Sequence, residues 1–308
     1  MSAISLDDKV TVVTGAGRGL GQAYAVAVAA AGSAVVVNDI DASAEQTVKQ
    51  ITDAGGRAVA EIAPVGDSAV AQRLVDRAVS EYGRLDVMVT NAGVLRDKVL
   101  WKMTDDDFDV VIATHLRGTF TCLRAAAIQM REQGEGGRII VVGSPAGQFG
   151  NFGQINYSSA KAGIVTIART ASLELARAEI TVNAIVPTAW TQMTASIPIY
   201  EPLVAQVEAG DPLPHDVRHN HAVGMPEECA PLIVFLASDQ AGAITGQAIG
   251  IGGDKLTLYS HPAEVAVAFR DGGWDAESIE SAWESQLAAA AQTSGVTLPP
   301  LNLTSTDA

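Results

Sequence analysis

Cysteine is nearly missing from this 308-residue chain. Only Cys122 and Cys229 occur, far apart and outside any CxxC pair. That argues against a disulfide scaffold or a cysteine-based metal site and fits two buried apolar thiols in a reducing, cytoplasmic setting. Basic charge is also scarce: Lys and Arg total 20 against 35 Asp and Glu, a net charge of −15. A chain this acidic repels a phosphate backbone, which argues against nucleic acid as a partner. Long apolar runs are missing too. No stretch approaches the roughly 18 uncharged apolar residues of a membrane span, so no membrane partner is expected. The opening MSAISLDDKV has no basic region ahead of an apolar core and does not read as a secretory leader.

What is present is short-range order. Hydrophobic residues make up 48% of the chain, enough for a substantial core. Short β-branched runs recur at 10–14, 34–38, 57–62, 85–90, 138–143 and 180–186. Between them lie segments of helical spacing at 20–31, 43–54, 69–82, 107–131 and 157–178. Near-continuous apolar strands alternating with amphipathic helices predict a parallel sheet covered on both faces. The right-handed crossover rule then favours a doubly wound, Rossmann-like α/β fold. A helix at 226–238 and a strand at 247–253 bring the expected sheet to about seven strands in one domain over 1–253. Prolines at 187, 198, 202, 212 and 214 break the pattern, so 187–225 reads as an irregular substrate lid. Residues 254–308 read as a C-terminal extension that packs on the domain or on a neighbouring subunit. Within it, Asp275 can cap a helix carrying Ile279, Trp283 and Leu287 on one face.

The densest glycine lies in TGAGRGLG, residues 14–21, between the first strand and the first helix. That is the context a dinucleotide-binding turn requires. Gly15 can turn the chain sharply, and Gly19 and Gly21 allow backbone to approach a pyrophosphate and helix to pack on sheet. The exposed N–H groups of the helix start then face the negative charge.

The spacing is TGxxxGxG, and this resembles the short-chain dehydrogenase/reductase family. Asn91-Ala92-Gly93 after the fourth strand is similar to the family's NAG motif, and Tyr157 to Lys161 supplies its YxxxK. Ser144 precedes the tyrosine by thirteen residues, and Pro187 follows the sixth strand. The resemblance runs over about residues 6–253. It implies cofactor contacts from Gly15, Arg18, Gly19, Leu20, Gly21, Asn91, Ala92, Gly93, Tyr157, Lys161, Pro187 and Thr191, a homodimer or homotetramer, and no metal.

Cofactor choice falls to Asp39, eighteen residues beyond Gly21. A carboxylate there accepts hydrogen bonds from ribose hydroxyls and repels a 2′-phosphate, which favours NAD over NADP. Arg18 pulls the other way. For catalysis, Tyr157 is the expected base. A free phenol has a pKa of about 10. The Lys161 ammonium, one helical turn on, is expected to lower it. Ser144 would bond the substrate oxygen as its charge develops.

One position departs from the family pattern. His115 stands where the helix usually carries a catalytic asparagine that anchors a water-linked proton relay. Two readings stay open: a partly buried helix histidine with a backbone role, or a residue whose side chain or main chain still holds the relay water. Thr188 replaces the usual glycine after Pro187, and Pro64-Val65 replaces an Asp-Val, which leaves Asp67 to cap the next helix. Asp105 to Asp107 read as the acidic first turn of a helix.

VVVND, NAGVLRDK, THLRGTF and GNFGQINYSSAK resemble the dehydrogenase part of peroxisomal multifunctional β-oxidation enzymes. The tail is more similar to actinobacterial relatives linked to acyl-CoA or steroid breakdown. The resemblance implies NAD-dependent oxidation of a 3-hydroxyacyl-CoA. The alternatives are a hydroxysteroid or other secondary-alcohol dehydrogenase and, in another class, a non-catalytic dinucleotide sensor.

Overall fold

The chain opens as strand β1 (Val10–Thr14), helix α1 (Gly19–Ala30), β2 (Ala34–Asp39), α2 (Ser43–Asp53), β3 (Arg57–Ile62), α3 (Ser68–Tyr82) and β4 (Val87–Thr90). It continues through α4 (Asp105–Val111), a π-type turn at Ile112–Arg117, α5 (Gly118–Gln133), β5 (Gly137–Val142), the short α6 (Pro145–Phe149), α7 (Ile155–Leu175) and β6 (Ile180–Pro187). Three short helices follow, α8 (Gln192–Ala195), α9 (Val204–Glu208) and α10 (His215–His219), then α11 (Pro226–Ala237). The chain closes with β7 (Ala248–Gly252), β8 (Lys255–Tyr259) and α12 (Ala276–Ala282). This computed structural model describes residues 4–195, 197–295 and 298–301. The side chain of Met193 and most of the TLPPLNLTSTDA terminus lie outside the described residues.

The strands form one sheet in the order β3-β2-β1-β4-β5-β6-β7-β8. All pairs are parallel except β7 with β8. Valine-rich runs suit such strands because a side chain branched at Cβ packs well on a pleated surface. Alternation along each strand sorts its side chains to two faces. Val10, Val12, Ala34 and Val36 join one core with residues of α3, α5 and α7. Val13, Val35 and Val37 join a second core with residues of α1, α2 and α11. The winding reverses between β1 and β4, and the crevice beyond the carboxyl ends of these strands is where such sheets take ligands.

The structure differs from the sequence reading in three places. The expected 107–131 helix is divided by the π-type turn, which carries His115 at its centre. The sheet has an eighth strand, KLTLY, that pairs antiparallel with the edge of β7, Gly252 opposite Lys255. A boundary at 253 therefore cuts a tight strand pair, and the first part of the extension belongs to the sheet. The face expected on α12 is also not buried: Ile279 and Trp283 are each more than half exposed. The caps fall where expected. Asp67 accepts from Ala69 N at 2.7 Å, Thr104 and Asp107 form a reciprocal capping box, and Asp275 accepts from Ser278 N at 2.8 Å. Both cysteines are buried, and burial pushes each thiol up to about 12. Among the described residues, no helix is long and apolar enough to cross a membrane.

Helix α1 packs closely on α11. Tyr24 of α1 is fully buried beside Cys229 of α11, and its hydroxyl has no hydrogen-bond partner among the described residues. Leaving a buried hydroxyl unpaired costs about 1–3 kcal/mol. Tyr24→Phe is therefore expected to raise unfolding stability by about 1 kcal/mol in urea titrations. A loss of that size instead would show that the hydroxyl is paired.

Candidate active site

The glycine turn and the Asn91 loop meet at the switch point. Asn91 Nδ2 donates to the carbonyls of Thr14, at 3.1 Å, and Gly15, at 2.9 Å. The N–H groups of Asn91 and Ala92 both donate to Thr14 Oγ1. A Cβ on Gly15 would lie 2.6 Å from Ala92 Cα, and one on Gly21 would lie 2.0 Å from the Gly15 carbonyl oxygen. These two glycines serve the packing of the turn on itself and on β4. Gly19 differs: its φ is +56°, and a Cβ there would meet no atom within 4 Å. It gives the left-handed bend at the start of α1 and leaves that face open to a ligand. Leu20 packs into the core on the α1 side of the sheet.

Asp39 and Arg18 do not face each other. Asp39 Oδ2 accepts from Gly17 N at 2.8 Å, which ties the end of β2 to the turn. Arg18 donates to Asp41 Oδ2 at 2.5 Å and to Ser43 Oγ at 3.2 Å. Hydrogen bonds from Ser43, then from Arg18, hold the Asp41 carboxyl down at about 2. The Arg18 charge is thus engaged by a neighbouring carboxylate. An open pocket of ≈ 510 Å³ lies beside this pair, lined by Gly17, Arg18, Asp41, Ala42, Ser43 and Gln46. The open face at Gly19 and this pocket give a dinucleotide room for its diphosphate and its adenosine end.

The second half of the site is built on β5 and α7. Ser144 follows β5 and caps α6, its Oγ accepting from Ala146 N at 3.2 Å. Tyr157 and Lys161 lie one turn apart on α7. Lys161 is buried, its Nζ 5.5 Å from the centre of the Tyr157 ring and 2.6 Å from the Val142 carbonyl, to which it donates. Burial lowers this amine to about 7. Burial also raises the Tyr157 phenol, while a hydrogen bond with Ser144 draws it down. The expected lowering of Tyr157 by Lys161 is not what dominates here. Desolvation of the ring sets the direction, and the opposing pull comes from Ser144.

His115 belongs to this cluster. Its ring stands edge-on to Tyr157 at 5.2 Å, and its Nε2 lies 3.0 Å from Val94 N and 2.9 Å from Val94 O. Nδ1 is buried and has no partner among the described residues. Burial, then the nearby Lys161 charge, lowers this imidazole to about 3, so the ring is neutral at physiological pH. A Cβ on Gly93 would strike His115 Cε1 at 2.3 Å, which explains glycine there. Pro187 ends β6, and Thr191 Oγ1 accepts from Thr194 N at the start of the lid. The structure thus gathers Ser144, Tyr157, Lys161 and His115 into one cluster and sets Arg18 on a separate ion pair at the far end of the crevice.

The roles of three supporting residues were not read from the sequence. Thr14 bonds two amides of the Asn91 loop. Asn156 is fully buried; its Nδ2 donates to the carbonyls of Arg96 and Asp107, and its Oδ1 accepts from Tyr157 N. His221 is buried in the lid between Tyr200 and Pro299. A polar residue directly before the tyrosine was the one signal on offer. His215 and His219, on the neighbouring α10, stack on each other at 5.2 Å.

Comparison with known proteins bears on this arrangement. A family model for short chain dehydrogenases matches residues 9–199. The chain is 39% identical to the hydroxyacyl-CoA dehydrogenase ChsB1 of Mycobacterium tuberculosis, over 88% of this chain and 86% of that protein. It is 40% identical to a 3-oxoacyl-[acyl-carrier-protein] reductase of Synechocystis, over 82% of this chain and 98% of that one. It is 44% identical to the peroxisomal hydratase-dehydrogenase-epimerase of Saccharomyces cerevisiae, over 77% of this chain, and spans 25% of that longer protein. A crystal structure of a short chain dehydrogenase from Mycobacterium avium superposes with a TM-score of 0.81 at 34% identity, covering 95% of this chain and 98% of the other. The chain belongs to the short chain dehydrogenase family and is an oxidoreductase acting on CH–OH groups.

Proposed function

We propose that this enzyme uses NAD to oxidise the secondary alcohol of a 3-hydroxyacyl-CoA to a ketone. The observation that carries the chemistry is the convergence of Ser144, Tyr157 and Lys161 at the carboxyl end of β5. The acyl thioester is favoured by the likeness to a hydroxyacyl-CoA dehydrogenase over most of both chains. The likeness to a 3-oxoacyl-[acyl-carrier-protein] reductase favours a second reading, reduction of the matching 3-oxoacyl thioester by the same residues.

The family uses nicotinamide dinucleotides, and the bound nicotinamide supplies the hydride acceptor. Gly15, Gly19, Gly21, Asn91, Ala92 and Gly93 would line the cofactor crevice, with Pro187 and Thr191 at its lid end. Tyr157, acting as its phenolate, takes the proton from the alcohol oxygen as hydride leaves the carbon. Burial of the ring opposes that phenolate, and the groups on hand to offset the cost are the Ser144 hydroxyl and Lys161 in its ammonium form. Ser144 also donates to the oxygen as it becomes a carbonyl. Tyr157→Phe is expected to lower kcat by at least about 100-fold on the best alcohol, with cofactor affinity by fluorescence titration changing no more than a few-fold. Turnover that survives this change would remove the catalytic role. The substrate class is read from NADH formation with 3-hydroxyacyl-CoAs, free steroid alcohols and simple secondary alcohols. Good turnover of a free alcohol with none of any thioester would overturn the acyl-CoA assignment.

The choice of NAD rests on Asp39 at the end of β2 and on the engagement of Arg18 by Asp41. A 2′-phosphate would meet two carboxylates and a guanidinium already paired. NAD is expected to exceed NADP in kcat/KM by roughly 100-fold. Asp41→Ala, which frees Arg18, should narrow that ratio by about tenfold. An unchanged ratio would count against this account of Arg18.

His115 is assigned the place of the relay anchor. A neutral imidazole with an unpaired Nδ1 beside Tyr157 can hold a water that carries protons outward. His115→Asn should keep kcat within a few-fold, whereas His115→Leu should lower it by about tenfold or more and shift its pH profile. A Leu variant with the wild-type pH profile would make the histidine structural only. Finally, α5 and α7 leave Phe120, Ile128 and Leu173 exposed, in keeping with a homodimer or homotetramer.

A further inference from the structure

The C-terminal extension returns to the active-site face and touches both of its walls. On one side, Gly295 N donates to the Phe149 carbonyl at 2.7 Å, at the end of the helix that Ser144 caps. The Phe149 ring also lies 6.0 Å from that of Tyr259 on β8. On the other side, the Pro299 carbonyl lies 2.8 Å from His221 Nε2, and Leu301 packs against the apolar cluster of the lid. That cluster is Trp190, Tyr200, Leu203, Leu213, Val217 and Val223.

His221 is the meeting point. It is only 3% exposed and makes two side-chain hydrogen bonds. A proline carbonyl can only accept, so Nε2 must donate to it. In the neutral ring, Nδ1 then accepts from the Tyr200 hydroxyl, 2.9 Å away. The rings of Tyr200 and His221 stand edge to face at 5.8 Å, and Trp190 meets Tyr200 in the same way at 6.1 Å. The base of this hub is fixed independently. Arg218 of α10 bonds Glu228 of α11 at 2.6 Å and Asp254, in the β7–β8 turn, at 2.7 Å. Through His221 this fixed point holds two less anchored pieces, the outer lid at 198–208 and the returning chain end.

We infer that the end of the extension, anchored at Gly295 and again at Pro299 and Leu301, straps the Ser144 wall to the lid, that His221 is its latch, and that the pair sets how large an alcohol the site admits. Four residues of extended chain reach at most about 14 Å, so the two anchor points cannot part by much more than about 20 Å with their hydrogen bonds added. A bound strap therefore limits opening of the crevice at its substrate end. The inference rests on the catalytic reading of Ser144 and Tyr157, but the latch itself can be tested without substrate.

The test uses the full chain in three variants. His221→Phe keeps a ring and loses both hydrogen bonds. His221→Gln can donate to Pro299 and accept from Tyr200. Leu301→Asp weakens the strap from its own side and leaves the lid sequence intact. Hydrogen–deuterium exchange is followed in peptides covering 198–208 and in the peptide containing Gly295, whose N–H is bonded to the Phe149 carbonyl. It should quicken on the order of tenfold in His221→Phe and in Leu301→Asp, recover in His221→Gln, and stay unchanged in the central strands. KM is then compared for the longest and shortest alcohol that the wild type oxidises, thioester or free. The ratio should shift several-fold in the two weakened variants at unchanged kcat for the short one. Exchange that does not respond, that responds equally across the sheet, or that glutamine does not restore would overturn the latch. A size ratio identical in all variants would overturn the role in specificity. If the exchange and size results hold but no thioester is turned over, the acyl-CoA reading fails and the latch stands.

Discussion

The close approach of two loops at the switch point is the constraint on which the site depends. Gly15 lies against Ala92 at a distance no side chain would permit, and the Asn91 amide bridges the gap to the carbonyls of Thr14 and Gly15. This contact locks the carboxyl ends of β1 and β4 together. Everything that follows is measured from it. Gly93, next along, is crowded by the His115 ring, so the position of the loop fixes that of the histidine. His115 in turn stands edge-on to Tyr157. A local absence of side chains at the turn is thereby transmitted, through three residues, to the reacting end.

Burial is the second organising force, and it acts on both members of the Tyr157–Lys161 pair. Each is driven toward its neutral form, the phenol upward and the amine to about 7. The amine is the balanced member, since a modest change in local charge decides its form, while the buried phenol is held protonated. His115, neutral throughout the physiological range, adds no charge of its own to that balance.

Much of the fold was readable because strand and helix periods differ and the sheet is buried on both faces. Valine runs such as AVVVN have one structural use in a chain of this kind. TGAGRGLG, Asn91, Ser144 and YSSAK were readable because their chemistry demands fixed residue types at fixed spacing. The opposition of Asp39 and Arg18 was visible, but its resolution was not. That Asp41 would take Arg18 depends on a turn whose geometry no spacing reveals. KLTLY was missed because a five-residue strand outside the βα alternation carries little periodic signal, and its register comes from β7. His221 was hidden for a different reason. Its two partners lie 21 and 78 residues away, and only folding brings them to one ring. The lowering of Tyr157 expected from an i+4 lysine followed a sound rule of helix geometry, but it omitted the depth at which the pair lies.

Lys161 is held by the carbonyl of Val142, His115 by the main chain of Val94, Asn91 by the carbonyls of Thr14 and Gly15, and His221 by the carbonyl of Pro299. A main-chain group survives any substitution that keeps the backbone in place. The surroundings of these side chains can thus drift through generations of replacements while the acceptors stay where they are. Selection need guard only the few functional side chains and the backbone path, and the rest of the pocket wall is left free to change its chemistry and meet new molecules.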